Sequence, residues 1–406
     1  MIFTPCNIGK IRIKNRFIKS AIVDFPGESN GYCSESYIQY LEEFAKGEVG
    51  LICTAPVSIQ TDFRVNHYQL SISNQKATDS YKPLIEKMHT YNTKIFLYPE
   101  YSNEALVKFL ISIAEPFHRT DAFKNMQTWI TSSLKGYEII KIISLYKEAV
   151  TRAKQVGFNG ILLNSTFGTF LQTMSSSTLN QREDEWGGSL SKRLRIFKEI
   201  ISICKALDFS VMVRWNVKDY KPGSLNIEES IQACQFLEAY GADALELPAF
   251  SSVESTIALN KDIEKRRTLP FVETNELVDY YRIMHPFTQN NFFLEKKEKI
   301  KLPMEYAWGH AYYNIRPIKK SLNVPVSLLG GVRSLKTAEK IVNSGASDFV
   351  SLMQTLIYDP AQCRKFKEGT SDYSHCISCN RCMNQMFLSL KDPSLPYLHH
   401  CVIKDK

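Results

Sequence analysis

Four segments of this chain share one design: an amphipathic helix, a glycine, and then a short, almost wholly apolar run. The clearest begins with Glu138–Val156, where Ile139, Ile142, Ile143, Tyr146, Val150 and Ala153 recur at helical spacing. Gly157 closes it, and Gly160-Ile161-Leu162-Leu163-Asn164 follows. The second, Ile227–Tyr240, opens with Asn226 and Glu229 spaced as a capping box and passes through Gly241-Ala242-Asp243 into Ala244-Leu245-Glu246-Leu247. A third runs from Ser334 to Gly345 and leads into Asp348-Phe349-Val350-Ser351-Leu352. A weaker fourth, Ser36–Phe44, reaches Val49-Gly50-Leu51-Ile52-Cys53 through Gly47. A strand apolar on both sides and preceded by a helix belongs to a parallel sheet covered on both faces. Phe17–Ile22, Lys94–Tyr98, Ser210–Trp215 and Val324–Leu329 bring the strand candidates to eight. Eight evenly spaced units favour an α/β fold of one kind, a single (β/α)8 TIM barrel, over a doubly wound sheet. No G-x-G-x-x-G follows any strand, which weakens the Rossmann alternative.

Two stretches interrupt the rhythm. Ser251–Pro303 forms a long insertion between strands six and seven, and Tyr101–Gly136, after strand three, has room for short helices of its own. Long loops on a barrel usually wall its C-terminal face, although a tolerated surface insertion is the plainer reading. Residues 1–365 are therefore expected to form the barrel, and 366–406 a short Cys-containing tail. A composition of 44% hydrophobic and 23% charged residues supplies the core that one large barrel needs. The net charge of +8 is spread along the chain, so it implies solubility and mild attraction for anions, not a nucleic-acid surface. No signal peptide is visible, and no apolar run approaches the roughly 20 residues that cross a bilayer. Six of the ten cysteines are scattered, several inside apolar segments, a usage that suits the reducing cytoplasm. The expected partner is a small-molecule substrate, without nucleic acid or membrane; a homo-oligomer is compatible with the sequence.

In such a barrel, binding residues sit at the C-terminal ends of the strands, and a phosphate site commonly follows strands seven and eight. Gly330-Gly331 follows strand seven here, just before the helix that starts at Ser334. The pair lets backbone amides approach an anion, or it is a tight turn that binds nothing; both readings stand. Arg214 ends strand five, where a guanidinium must either pair with a carboxylate or meet an anionic ligand. Asn164 ends strand four and Tyr98 ends strand three, so both should line the same mouth, as ligands or as wall.

The segment Asn180-Gln181-Arg182-Glu183-Asp184-Glu185-Trp186-Gly187-Gly188-Ser189-Leu190, closed by Arg193, resembles the N-x-R-x-D-x-aromatic-G-G-S-L-x-x-R signature of the Old Yellow Enzyme family. Lys14-Asn15-Arg16-Phe17-Ile18-Lys19-Ser20-Ala21 looks like that family's first strand, and Gly50-Leu51-Ile52 its second. Val324-Pro325-Val326 through Gly330-Gly331, and Asp359-Pro360, resemble its seventh strand and final turn. The resemblance implies a flavin mononucleotide (FMN) across the barrel mouth, reduced by NAD(P)H, with hydride passed to an activated alkene or another small acceptor. It implies that Arg214 faces the flavin's pyrimidine edge, that Gly330 and Gly331 meet the phosphate, and that Ala21, Ile22 and Val23 pass beneath the ring. Ala55, Tyr98, Met353 and Gln354 are the remaining implied cofactor positions. Departures are equally plain. The family motif after strand four, His-x-x-His/Asn-Gly-Tyr, reads here Asn164-Ser165-Thr166-Phe167-Gly168-Thr169. Phe167 donates nothing and Thr169 is a very weak acid, so the pair that polarises a carbonyl is half lost. Tyr98 stands where the family has a flavin-contacting Gln, Tyr101 where it has His, and Gln354 where an Arg clamps the phosphate. Asn164, Thr169, Tyr98 and Tyr101 are the candidate catalytic side chains, with either tyrosine replacing the lost proton donor.

Cys376-Ile377-Ser378-Cys379-Asn380-Arg381-Cys382, with Cys401 beyond, is the most metal-like cluster. Thiolates at two-residue spacing can converge on zinc or an iron–sulfur cluster. Larger members of the resembled family carry a 4Fe–4S cluster on a similar motif with one more residue between the second and third Cys; free thiols are the alternative here. His375, His399 and His400 stand near enough in sequence to supplement zinc. Two rival functional readings remain: a barrel that has lost flavin chemistry, and a metal-binding interaction module.

Overall fold

In the computed structural model, residues 1–114, 119–218, 224–248, 314–376, 382, 392–401 and 404 are described. The insertion Ser251–Pro303 and Cys379 lie outside them. Ten strands are present among the described residues. β1 (Cys6–Ile8) and β2 (Ile11–Ile13) form an antiparallel hairpin. β3 (Phe17–Lys19), β4 (Leu51–Ser58), β5 (Lys94–Glu100), β6 (Gly160–Ser165), β7 (Ser210–Trp215), β8 (Ala244–Pro248), β9 (Val326–Leu329) and β10 (Phe349–Leu352) close into a parallel barrel in chain order, β10 pairing with β3. Helices follow the strands around the outside, among them Glu35–Lys46, Gly136–Val156, Arg195–Ala206, Ile227–Ala239 and Leu335–Asn343. The eight-stranded barrel expected from the repeated units is the fold.

The alternation of each strand divides its residues between two cores. Phe17, Ile52, Ile95, Leu97, Ile161, Leu163, Val211, Val213, Leu245, Val326 and Val350 face outward into the large cluster shared with the helices. Ile18, Leu51, Cys53, Phe96, Leu162, Met212, Ala244 and Phe349 fill the interior. Ile8 and Ile13 of the hairpin join that inner cluster, so the hairpin plugs the N-terminal end. Toward the C-terminal end the inward positions become polar: Ser20, Tyr98, Asn164, Arg214 and Glu246, all buried. The barrel interior is thus mainly apolar below, with one buried serine pair (Ser327–Ser351), and polar at its mouth.

Element boundaries differ from expectation where backbone hydrogen bonds override hydrophobicity. The first barrel strand stops at Lys19 instead of Ile22, because the Ala21 carbonyl accepts from Arg214. β5 runs on to Glu100, paired with Ser58 after a register shift between Cys53 and Pro56 in β4. The stretch after β5 carries helices Glu104–Ala114 and Arg119–Thr128, as its length allows. The capping box at Asn226 is half formed: Asn226 accepts from the Glu229 amide, but the Glu229 carboxylate pairs with Arg193 instead of returning to the cap.

That Arg193 belongs to the signature segment, which proves to be a brace. Asn180 Nδ2 donates to the carbonyls of Met174 (2.6 Å) and Trp186 (2.8 Å). Arg182 donates to the Ile130 and Leu134 carbonyls at 2.7 and 2.5 Å and holds Asp184 through both remaining nitrogens. Arg193 reaches the Ser175 carbonyl as well as Glu229. The segment after β6 is thereby fixed to the turn before helix Gly136–Val156 and to helix Ile227–Ala239. Since Arg182 is 7% exposed, Arg182→Ala strands two buried carbonyls and should cost about 3 kcal/mol. Urea unfolding checks this, and a midpoint within error of wild type would contradict the brace.

Candidate active site

Arg214 anchors the mouth. Its Nε donates to Glu246 Oε2 at 2.5 Å, with side-chain exposures of 5% and 0%. Its Nη2 donates to Ser20 Oγ at 2.7 Å and to the Ala21 carbonyl at 3.2 Å. Arg214 and Glu246 are register partners on β7 and β8, so neighbouring inward positions make the pair. Of the two roles open to an arginine here, the carboxylate partner is the one the structure displays. Glu246 Oε1 is buried without a hydrogen-bond partner.

Across the barrel, hydrogen bonds join β6 to β5. Thr166 Oγ1 donates to Asn164 Oδ1 (2.6 Å), and Asn164 Nδ2 donates to the Tyr98 phenol oxygen (2.8 Å). Glu100 lies two residues beyond Tyr98 at the end of the same strand. Burial raises the Glu100 carboxyl to about 7. Burial likewise drives the Tyr98 phenol well above its ordinary range, with the nearby Glu100 charge adding to the effect.

The expected site residues separate into two groups. Tyr98, Asn164, Arg214 and the Ala21 carbonyl meet at the inner rim. Thr169 is buried with its hydroxyl donated to the Asn164 carbonyl at 2.8 Å, so that proton is already committed. Tyr101 packs edge-on against Phe170 (centroids 4.9 Å apart) with the outer cluster, away from Tyr98. Ala55 also turns to the outer cluster, its amide donating to the Tyr37 hydroxyl at 2.7 Å. Val23 packs beside Phe25 and Tyr397, and Ile22 is buried. Ser20, Glu246 and Glu100 are rim residues that sequence reasoning missed. A charge on the inward face of an apolar strand, one strand from Arg214, was the available signal for Glu246.

Gly330 and Gly331 follow β9 with φ of 110° and 76°, conformations that L side chains rarely adopt. A Cβ built on Gly330 meets nothing within 4 Å. Thr355 Oγ1 donates to the Val332 carbonyl at 2.9 Å, which ties this turn to the segment bearing Met353 and Gln354. Gln354 is partly exposed at the start of the short helix Gln354–Tyr358. Open space over a double-glycine turn, polar rim atoms without partners and a fixed guanidinium suit a phosphorylated, hydrogen-bonding ring system. A phosphate clamp of Arg type is not what Gln354 provides.

Described residues of the tail contact the segments that follow β9 and β3. Leu335 and Ser374 amides donate to the carbonyls of Asp372 and Arg333, beside the glycine turn. Tyr397 bridges Phe25, just after β3, through two backbone bonds of 2.8 and 3.0 Å. His399 Nδ1 lies 2.6 Å from Asp24 Oδ1, both side chains fully buried. Asp24 thus holds Nδ1, while His399 Nε2 is buried without a hydrogen-bond partner. Among the described residues no group of three His, Cys, Asp or Glu side chains is gathered for a metal. Nor, among them, is any helix long and apolar enough to cross a membrane.

Comparison with known proteins gives a consistent result. The model of the NADH:flavin oxidoreductase / NADH oxidase family matches residues 1–297. An NADH oxidase of Thermoanaerobacter brockii is 26% identical over 384 residues, 93% of this chain and 52% of that protein. A 4,4'-dithiodibutanoate disulfide reductase of Rhodococcus erythropolis is 24% identical over 415 residues, 100% of this chain and 95% of that protein. This chain thus spans about half of the first relative and nearly all of the second. In fold it is similar to 2-naphthoyl-CoA reductase (TM-score 0.70, 19% identity, covering 95% of this chain and 55% of that one). It is also similar to the old yellow enzyme homologue of Zymomonas mobilis (TM-score 0.64, 15% identity, 97% and 99%).

Removing the guanidinium leaves Glu246 charged and enclosed, so Arg214→Ala should lower stability by about 3–5 kcal/mol. Arg214→Met combined with Glu246→Leu should recover most of that loss in the same thermal or urea measurement. Equal losses in the single and double variants would show that the stranded Glu246 charge is not the source of the loss.

Proposed function

The chain belongs to the NADH:flavin oxidoreductase / NADH oxidase family, and from that membership we propose that it is an FMN-dependent oxidoreductase. It takes hydride from NAD(P)H and passes it to an activated alkene or another small acceptor. The observation that carries this reading is the change of the barrel interior from an apolar plug to a polar rim, at the same end as an open double-glycine turn.

Gly330 and Gly331 would offer the phosphate backbone donors, with Met353 and Gln354 beside them. Ser20 and the Ala21–Val23 segment would support the ring. Arg214 and Glu246 would meet its polar edge together: the guanidinium stabilises negative charge on that edge, while the carboxylate accepts from an N–H and moderates that charge. A bound flavin supplies two-electron transfer between a nicotinamide and an acceptor. The protein's part is to orient both against it, exclude water and deliver a proton. Asn164 and Tyr98 are the polar side chains at the rim that would face the acceptor. Thr169 and Tyr101, with their committed or outward side chains, play supporting parts.

We assign residues 1–365 to the flavin-binding barrel and 366–406 to its tail, and place the protein in a reducing, cytoplasmic setting suited to its buried thiols. Cys376, Cys379, Cys382 and Cys401 have the donor chemistry for zinc or a 4Fe–4S cluster. Stoichiometric metal in the purified protein would establish that use, and its absence would leave them thiols.

The purified chain should be yellow, release FMN on denaturation, and bleach under anaerobic NADH or NADPH. A colourless protein that takes up no added FMN would sink the proposal. Glu246→Gln leaves the Arg214 charge unbalanced and should make the potential of the bound flavin more positive, by about 30 mV for each tenfold gain in relative affinity for the reduced form. Potentiometric titration reads that shift.

A further inference from the structure

We propose that Thr166 is a positioning residue whose buried hydroxyl orients the Asn164 amide and thereby leaves the Tyr98 phenol hydrogen for the carbonyl oxygen of the acceptor. This rests on the reading of the chain as a flavin oxidoreductase and names the side chain that holds the acceptor in that reaction.

The direction of the hydrogen-bond row follows from where each hydrogen can go. Thr166 is fully buried, and among the described residues its hydroxyl has one hydrogen-bond partner, Asn164 Oδ1 at 2.6 Å. A buried hydroxyl gives its hydrogen to an acceptor within reach, because an unmade bond leaves the cost of desolvating the donor uncompensated. The amide oxygen of Asn164 is therefore the end that faces Thr166. The nitrogen faces Tyr98 and donates to the phenol oxygen at 2.8 Å. Turning the amide over would strand the Thr166 hydrogen and let the amide oxygen take up the phenol hydrogen instead. The backbone of Asn164 is held as well: it pairs with Arg214 of β7, and its carbonyl accepts from the Thr169 hydroxyl at 2.8 Å. Tyr98 thus spends a lone pair on Asn164 and keeps its own hydrogen.

That hydrogen lies where an acceptor would be held. Tyr98 faces the barrel interior with Phe96 below it on β5, and it shares the rim with Asn164 and Arg214. Burial drives the phenol well above its ordinary range, so it stays protonated and serves as a hydrogen-bond donor. The bond it receives from Asn164 polarises its O–H and strengthens that donation. Neighbouring side chains offer no substitute: Phe167 has no donor, and Thr169 gives its hydrogen to the Asn164 carbonyl. One donor above a mainly apolar interior suits a small α,β-unsaturated ketone or aldehyde. Its oxygen gains negative charge as hydride reaches the carbon β to the carbonyl, and the Tyr98 hydrogen bond stabilises that charge while the phenol keeps its proton.

Two measurements on the full chain test this role. Infrared difference spectra against Tyr98→Phe isolate the Tyr98 C–O stretch, whose frequency separates a phenol that accepts at oxygen from one that only donates. Thr166→Ser should keep the wild-type band. Thr166→Val frees the amide to turn its oxygen to the phenol, and Asn164→Asp offers the phenol only acceptors, so both should shift the band toward that of a donating phenol. With methyl vinyl ketone as acceptor, stopped-flow oxidation of the NADPH-reduced protein should slow about 10²-fold in Tyr98→Phe and about tenfold or more in Thr166→Val. Reduction by NADPH should slow far less in Thr166→Val, and Thr166→Ser should oxidise at nearly the wild-type rate. Adding Thr166→Val to Tyr98→Phe should cost nothing further, because the hydrogen that Thr166 directs is already gone. A band unmoved in both Thr166→Val and Asn164→Asp, or losses that multiply in the double variant, overturns the role of Thr166 while leaving the flavin reading intact. A protein without flavin overturns that reading, and the infrared bands still decide the direction of the row.

Discussion

The mouth of this barrel is organised around one buried ion pair. Arg214 and Glu246 face each other from adjacent strands, above an interior whose lower layers are mainly apolar. Neither charge tolerates that position alone, so each fixes the other, and the pair then fixes Ser20 and the Ala21 carbonyl. The termination of β3, the course of the first loop and the polarity of the rim follow from that contact. It also sets the electrostatics: the rim offers a neutralised pair with one free carboxylate oxygen, where the resemblance alone implied an isolated cation.

Much of the scaffold was legible because a two-sided apolar strand after an amphipathic helix has few other uses. Ser210–Trp215 was read to the residue. Val324–Leu329 begins two residues late because Pro325 has no amide to pair, and β9 starts at Val326. β5 was cut short because Pro99-Glu100 does not read as strand, yet pairing with β4 resumes there beyond the register shift. That left Glu100 out of the sequence reading. The N-terminal hairpin announced itself only in Ile8, Ile11 and Ile13 around a two-residue turn at Gly9, whose φ is 54°. The contact between Asp24 and His399 spans 375 positions, and nothing in local spacing carries it.

The signature segment shows how a motif and a site differ. Its Asn, Arg and Asp side chains are spent on backbone carbonyls and on each other, and its last Arg on Glu229. They hold the Met174 and Ser175 carbonyls in place. Recognising the family through them was sound because a brace of this kind is tied to one chain course. Tyr98 and Asn164, at positions that depart from the family pattern, meet elsewhere, at the rim.

Closure of the cylinder has a consequence for how the molecule is made. β3 is completed only when Val350 pairs with Phe17, about 330 residues later. At ribosomal rates of roughly 5–20 residues per second, the nascent first strand waits on the order of 20–60 s with one edge open. Its brevity, three residues ending in Lys19, limits what that edge can recruit in the meantime. A short, charged first strand is thus a safeguard during synthesis, before any ligand is met.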